Sequence, residues 1–175
     1  MTPDLKDKAQ EWSAKLKNLA AKVPGLNEFM GREKIREQDK ILREHTAKKL
    51  DEVKGAIDGV KKRLLEKMQI GLLPELDRLT QQVDRLRDKQ RFAAHGYAGV
   101  FDENQVNEPE LVKLYEGDMK ILEKVDAIQK GCDLLCAAEI DEQMVKAKLA
   151  ELKGVLNELA GLIDNRGDSL KKIGL

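Results

Sequence analysis

Two serines, two cysteines, two histidines and six aromatic rings are all that these 175 residues hold of the side chains from which most reaction centres are assembled. Each shortage excludes something. Ser13 and Ser169 are the only serines, and neither lies in a Gly-x-Ser-x-Gly turn, so nucleophile-elbow acyl transfer is not written here. His45 and His95 have Leu42 and Phe92 three residues before them, where a di-iron or di-manganese bundle needs glutamate. His45 reads instead as a neighbour of a helix seam and His95 as a residue at a helix C-terminus. Cys132 and Cys136 stand one helical turn apart, not at the two-residue spacing of zinc or thioredoxin-type sites, and read as small buried hydrophobes. Gly96-Tyr-Ala-Gly99 lacks the Gly-Lys-Ser/Thr that cradles phosphates. No catalytic residue, metal site or cofactor is therefore expected. Nor is there a run approaching the roughly 18 apolar residues of a membrane span, or an apolar signal-peptide core after Met1, and the expected location is the cytoplasm.

What the chain has in quantity is helix-forming, charged sequence: 37% Asp, Glu, Lys and Arg beside 41% hydrophobic residues, with too few aromatics for a β-rich fold. Thr2-Pro3 supplies a cap and a first-turn proline, and Leu5, Ala9, Trp12, Leu16, Leu19 and Val23 then step by four and three, the seam of a helix lying along another helix. Pro24-Gly25 ends it. A second, long helix is expected from about Arg32 to about Ile70, striped by Leu42, Leu50, Val53, Ile57, Val60, Leu64 and Met68, with Gly55 and Gly59 as places where it can bend. Gly71-Leu-Leu-Pro74 reads as a turn, and Leu76, Leu79, Val83 and Leu86 as the stripe of a third helix stopped near Gly96. Asn107-Glu-Pro-Glu110 opens a fourth, carrying Leu114, Ile121, Leu122, Val125, Ile128, Cys132 and Leu135. Asp141 caps a fifth, with Val145, Leu149, Leu152, Leu156, Leu159 and Ile163. The expected fold is all-α: one domain over 1–175, an elongated, mostly antiparallel bundle of about five helices with coiled-coil-like packing and a frayed tail at 166–175.

Two features break this regularity. The formal charge is zero, yet residues 1–95 hold 22 Lys and Arg against 16 Asp and Glu, and residues 96–175 hold 10 against 16, giving a basic half of +6 and an acidic half of −6. Such polarity bears on how the halves, or two molecules, associate. Four of the six aromatic rings, Phe92, Tyr97, Phe101 and Tyr115, gather in and around the His95–Asp102 segment. They read either as a plug for the end of the bundle or as a partner-docking patch. The basic residues Arg32, Lys34, Arg36, Lys40, Arg43, Lys61, Lys62, Arg63 and Lys67 are interleaved with Glu33, Glu37, Asp39, Glu44 and Glu66 and read as solvated surface. Nucleic acid is accordingly not an expected partner. Trp12, Leu16 and Leu19, flanked by Lys8, Lys15, Lys17 and Lys22, suit either packing on protein or an interfacial membrane helix, and the regular seam favours protein.

The Pro24-Gly25 connection, the charged Arg32-Glu33 to Asp39-Lys40 opening of the long helix and the Gly96-Tyr-Ala-Gly-Val-Phe-Asp102 segment together resemble a family of uncharacterised bacterial helical proteins over the first two thirds of the chain. That resemblance implies a bacterial protein and no assigned activity. Long helical hairpins behind an amphipathic first helix also resemble, in architecture alone, phage-shock and membrane-remodelling proteins. The functional expectation is a non-enzymatic scaffold or adaptor that associates with itself or another protein. The alternatives are a peripheral membrane protein that uses its first helix, and a small-ligand site beneath the aromatic segment.

Overall fold

The computed structural model describes residues 17–29, 35–92, 108–137 and 141–172, and among them there is no strand. The fold is an all-α bundle. Residues 17–22, here α1, are helical and give way at Pro24-Gly25, where Gly25 adopts φ +82°, to a 3-10 turn over Leu26–Phe29. The four long helices are α2 (Ile35–Glu66), α3 (Leu73–Phe92), α4 (Glu108–Ala137) and α5 (Glu142–Lys172). Helix α5 begins just after Asp141, whose carbonyl accepts the Val145 amide at 3.1 Å.

At 32 residues α2 is about 48 Å long. It stops earlier than its hydrophobic stripe suggests, because Met68 leaves the helix with φ +59°. The Gln69 amide donates to the Leu64 carbonyl at 2.8 Å and the Met68 amide to the Leu65 carbonyl at 3.0 Å, the paired bonds of a Schellman stop. Met68, expected on the buried stripe, is instead 80% exposed. The second departure is at the other terminus. Helix α5 continues past Asn165 to Lys172, through residues expected to fray, and Arg166 is buried. Residues 173–175 lie outside the described residues.

Helix α2 packs on α3 and α4, and α5 packs on α3 and α4, so that α2 faces α5 and α3 faces α4 across the diagonals of a four-helix square. The hairpins α2–α3 and α4–α5 stand side by side in the same sense. Gln82 pairs with Asn157 and Lys89 with Asp164, both 75 residues apart, so α3 and α5 run parallel. The ends of α2 and α4 and the starts of α3 and α5 therefore lie at one end of the bundle, the tip. The starts of α2 and α4 and the ends of α3 and α5 form the other end, the foot. Helices α3 and α4 are diagonal in the square, and the chain between them, residues 93–107, lies outside the described residues.

One continuous core runs up the square from Leu50, Leu86 and Ile163 to Leu72, Leu135 and Val145 at the tip. Fully burying each leucine-type side chain stabilises by about 1.5–3 kcal/mol before entropy is counted. Gly131 lets α4 and α5 approach closely, since a Cβ there would stand 2.6 Å from Leu152 Cδ2. A second cluster joins Leu19, Val23 and Leu26 to Leu42, Tyr115 and Leu122, binding α1 and the following turn to α2 and α4 near the foot.

Candidate functional site

The foot holds the densest polar chemistry of the described chain. Each long helix carries its core residues at alternating steps of four and three, and near the foot each seam includes a polar side chain. In α5 the run Ile163 to Arg166 continues the ladder, in α4 Asp118 sits between Leu114 and Ile121, in α2 Asp39 precedes Leu42, and in α3 Gln90 follows Leu86. All four polar residues are buried, and together they form one layer of the bundle.

Arg166 is its centre. Nη1 donates to Asp39 Oδ1 at 2.5 Å, Nη2 to Asp118 Oδ2 at 3.3 Å, and Nε to Asp118 Oδ1, so one guanidinium ties α5 to α2 and α4. Arg43 completes the layer, with Nε on Asp39 Oδ2 at 2.7 Å and Nη1 on the Gln90 carbonyl at 3.2 Å, at the end of α3. Two cations face two carboxylates, and the layer is neutral as a whole. Burial opposes the charge of Arg166, but Asp118 and Asp39 overcome it and hold the guanidinium protonated, above its ordinary range. Burial raises the Asp118 carboxyl, against the pull of Arg166 and with the help of Asp39. Tyr115 donates its hydroxyl to Gln38 Oε1 beside this layer, and burial first, then Asp118, raises its phenol. Thr46 donates to the Leu42 carbonyl at 2.8 Å, one turn further into the bundle.

An open groove of about 240 Å³ between α4 and α5 reaches the outer edge of this layer, walled by Lys113, Lys120, Leu162, Asn165 and Arg166. The donor nitrogens of Arg166 are directed at Asp39 and Asp118, on the inner side. Half-buried His45 is pushed below its ordinary value by burial and then by Lys49. Cys132 is buried in the core, which pushes its thiol up to about 12. Cys136 is half-buried, 4.0 Å from the Ala56 carbonyl, and burial raises it too. Both thiols thus sit on one face, as their spacing requires. Among the described residues no group of three His, Cys, Asp or Glu is placed to hold a metal ion, and no helix is long and apolar enough to cross a membrane.

The tip has the reverse character. Leu65, Met68 and Ile70 around the α2–α3 turn, and Leu134 and Met144 flanking the α4–α5 connection, are each half exposed or more. No expectation singled these out as a surface.

Of the residues expected to form a docking patch, the structure separates two. Phe92 is exposed at the end of α3, but Tyr115 is only 5% exposed, with its ring among Leu19, Leu42 and Leu122 and its hydroxyl on Gln38. Tyr115 is a core residue because its α4 face turns toward α2. Tyr97 and Phe101 lie outside the described residues, as do Trp12 and Leu16. Leu19 is fully buried, so its part of the first helix packs on protein. Arg43, read from sequence as solvated, is buried, because its seam position leaves it no other direction. The signal that finds the polar layer is the interrupted ladder: a charge on a four-three seam is a missing apolar rung, whatever its residue type.

Lys54 pairs with Asp84 at 2.9 Å and Arg91 with Asp51 at 2.5 Å within the basic hairpin, and Lys124 with Glu158 within the acidic one. Lys89 with Asp164 and Arg166 with Asp39 join the two halves, and the second places its acid in the basic half. Comparison of the chain with models of protein families, with curated proteins and with solved structures finds no match.

Proposed function

We propose that this chain is a helical scaffold or adaptor that acts by protein–protein association through the tip of its bundle. The observation that carries this reading is Met68. A left-handed residue with a Cβ costs about 1–2 kcal/mol relative to glycine, and the same residue places a large apolar side chain almost wholly in water. Two unfavourable features at one residue are the mark of a segment with a role outside folding. Leu65 and Ile70 beside it, and Leu134 and Met144 on the neighbouring hairpin, extend the apolar character over the same end. The buried layer at the foot supports the reading from the other side, since its charges are spent on one another and hold the helices in register.

A membrane-bound role for the first helix is less well supported, because the lower part of its apolar stripe, Leu19 and Val23, is covered by α2 and α4. The test is photo-crosslinking in cells that express the protein, with the reactive amino acid placed at position 68, at position 144, or at position 85 on the exposed side of α3. Discrete protein adducts from 68 and 144 but not from 85 are expected. Absence of adducts from both tip positions would defeat the proposal.

A further inference from the structure

The partner at the tip follows from its charge. Among the described residues, 61–73 carry Lys61, Lys62, Arg63 and Lys67 against Glu66 alone, whereas 131–137 and 141–145 carry Asp133, Asp141 and Glu142 and no cation. These stretches flank the two apolar pairs of the tip: Met68 and Ile70 among the basic residues, Leu134 and Met144 among the acidic ones. Lys61 is engaged within its own hairpin by Asp58 and Asp77, and Glu142 within its own by Lys146, but Lys62, Lys67 and Asp141 are all exposed. The same polarity runs through the whole sequence, whose first half is basic and second half acidic.

A surface that is apolar-and-basic on one hairpin and apolar-and-acidic on the next is complementary to itself. We infer that the partner is a second copy of this chain: the α2–α3 tip of one molecule docks on the α4–α5 tip of the other, and a twofold axis repeats the contact in reverse. Methionine and isoleucine meet leucine and methionine, while lysines meet carboxylates. Because both patches lie side by side at the same end of each molecule, one twofold pairing engages all four at once, so it closes as a dimer and does not propagate into a filament. The patch is small, so the dimer is a weak one that forms with rising concentration. This inference rests on the proposal that the tip is an association surface and narrows it to one occupant.

Sedimentation velocity of the purified full-length chain, from about 1 µM to about 0.1 mM, tests it. A monomer–dimer equilibrium is expected, weakened by added salt because the facing charges are exposed. Met68→Asp and Met144→Asp should each shift the chain to monomer, with the helical circular-dichroism signal retained because both side chains are exposed, and Phe92→Asp at the foot should leave the dimer intact. Lys67→Glu should weaken the dimer, and Lys67→Glu combined with Asp141→Lys should restore it. A monomer throughout the range overturns the inference, as does a dimer untouched by the tip substitutions or abolished by Phe92→Asp. A monomer that still crosslinks to a different protein from position 68 overturns the second copy while leaving the scaffold reading standing; a monomer without adducts removes both.

Discussion

At the foot of the bundle four charged residues are less than a tenth exposed, whereas at the tip five large apolar residues are half exposed or more. Each end inverts the usual placement of residue types, and the two inversions differ in kind. The foot closes on itself: Asp39, Arg43, Asp118 and Arg166 satisfy one another, so their chemistry is consumed in holding four helices together. The tip leaves apolar area in water and a strained backbone at Met68. An interior charge that is fully paired marks architecture, and an exterior hydrophobe that costs stability marks a working surface.

The sharpest way to break this contrast is Arg166→Ala. Removing the shared cation strands Asp118 in the interior, and loss of about 3–5 kcal/mol is expected in urea unfolding. Replacing both Arg166 and Asp118 with leucine should recover most of that loss, since Asp39 keeps Arg43. A loss under about 1 kcal/mol for the single variant would be the value of a surface pair and would mean that the foot is not locked. The tip predicts the opposite sign: Met68→Gly should stabilise by about 1 kcal/mol, because glycine adopts the left-handed region freely. An unchanged or lowered denaturation midpoint would remove the strain from the account.

The remaining two predictions sharpen the contrast on a finer scale. With iodoacetamide at mildly alkaline pH, half-buried Cys136 should be modified first, while Cys132, buried and held near 12, should react only as fast as the protein opens. Equal rates for both thiols would show a loosened core below the tip. The smallest effect concerns His45, whose folded-state value lies below the ordinary 6.5 through burial and Lys49, with Lys48 adding to them and Glu52 and Asp126 opposing. The unfolded chain takes up this proton first, so stability should decline as pH falls from 6.5 toward the lower folded value. The slope this residue contributes should vanish in His45→Gln. A difference between the two proteins of the opposite sign would contradict the assignment.

The helices themselves were legible in the sequence. The ladder Val145, Leu149, Leu152, Leu156, Leu159, Ile163 is buried rung for rung, as are Leu76, Leu79, Val83 and Leu86, because a four-three apolar repeat lies along one face of a helix and is covered when helices pack lengthwise. The foot was hidden by residue type. Arg43 and Asp39 look like any other solvated pair when charge alone is read, and only their position on the seam distinguishes them from Lys40 and Glu44, which are exposed. The ring of Tyr115 was assigned to the aromatic segment by nearness in sequence, while helical phase aims it at α2. The tip was obscured for another reason. Met68 continues the α2 stripe in perfect spacing, and nothing local announces that the helix has already ended two residues before it.

Arg166 lies 127 residues after Asp39. During synthesis the α2–α3 hairpin emerges with its own short turn, and its lower carboxylate, Asp39, has Arg43 beside it before α5 leaves the ribosome. The last turns of α5, through Arg166, deliver the cation that shuts the foot.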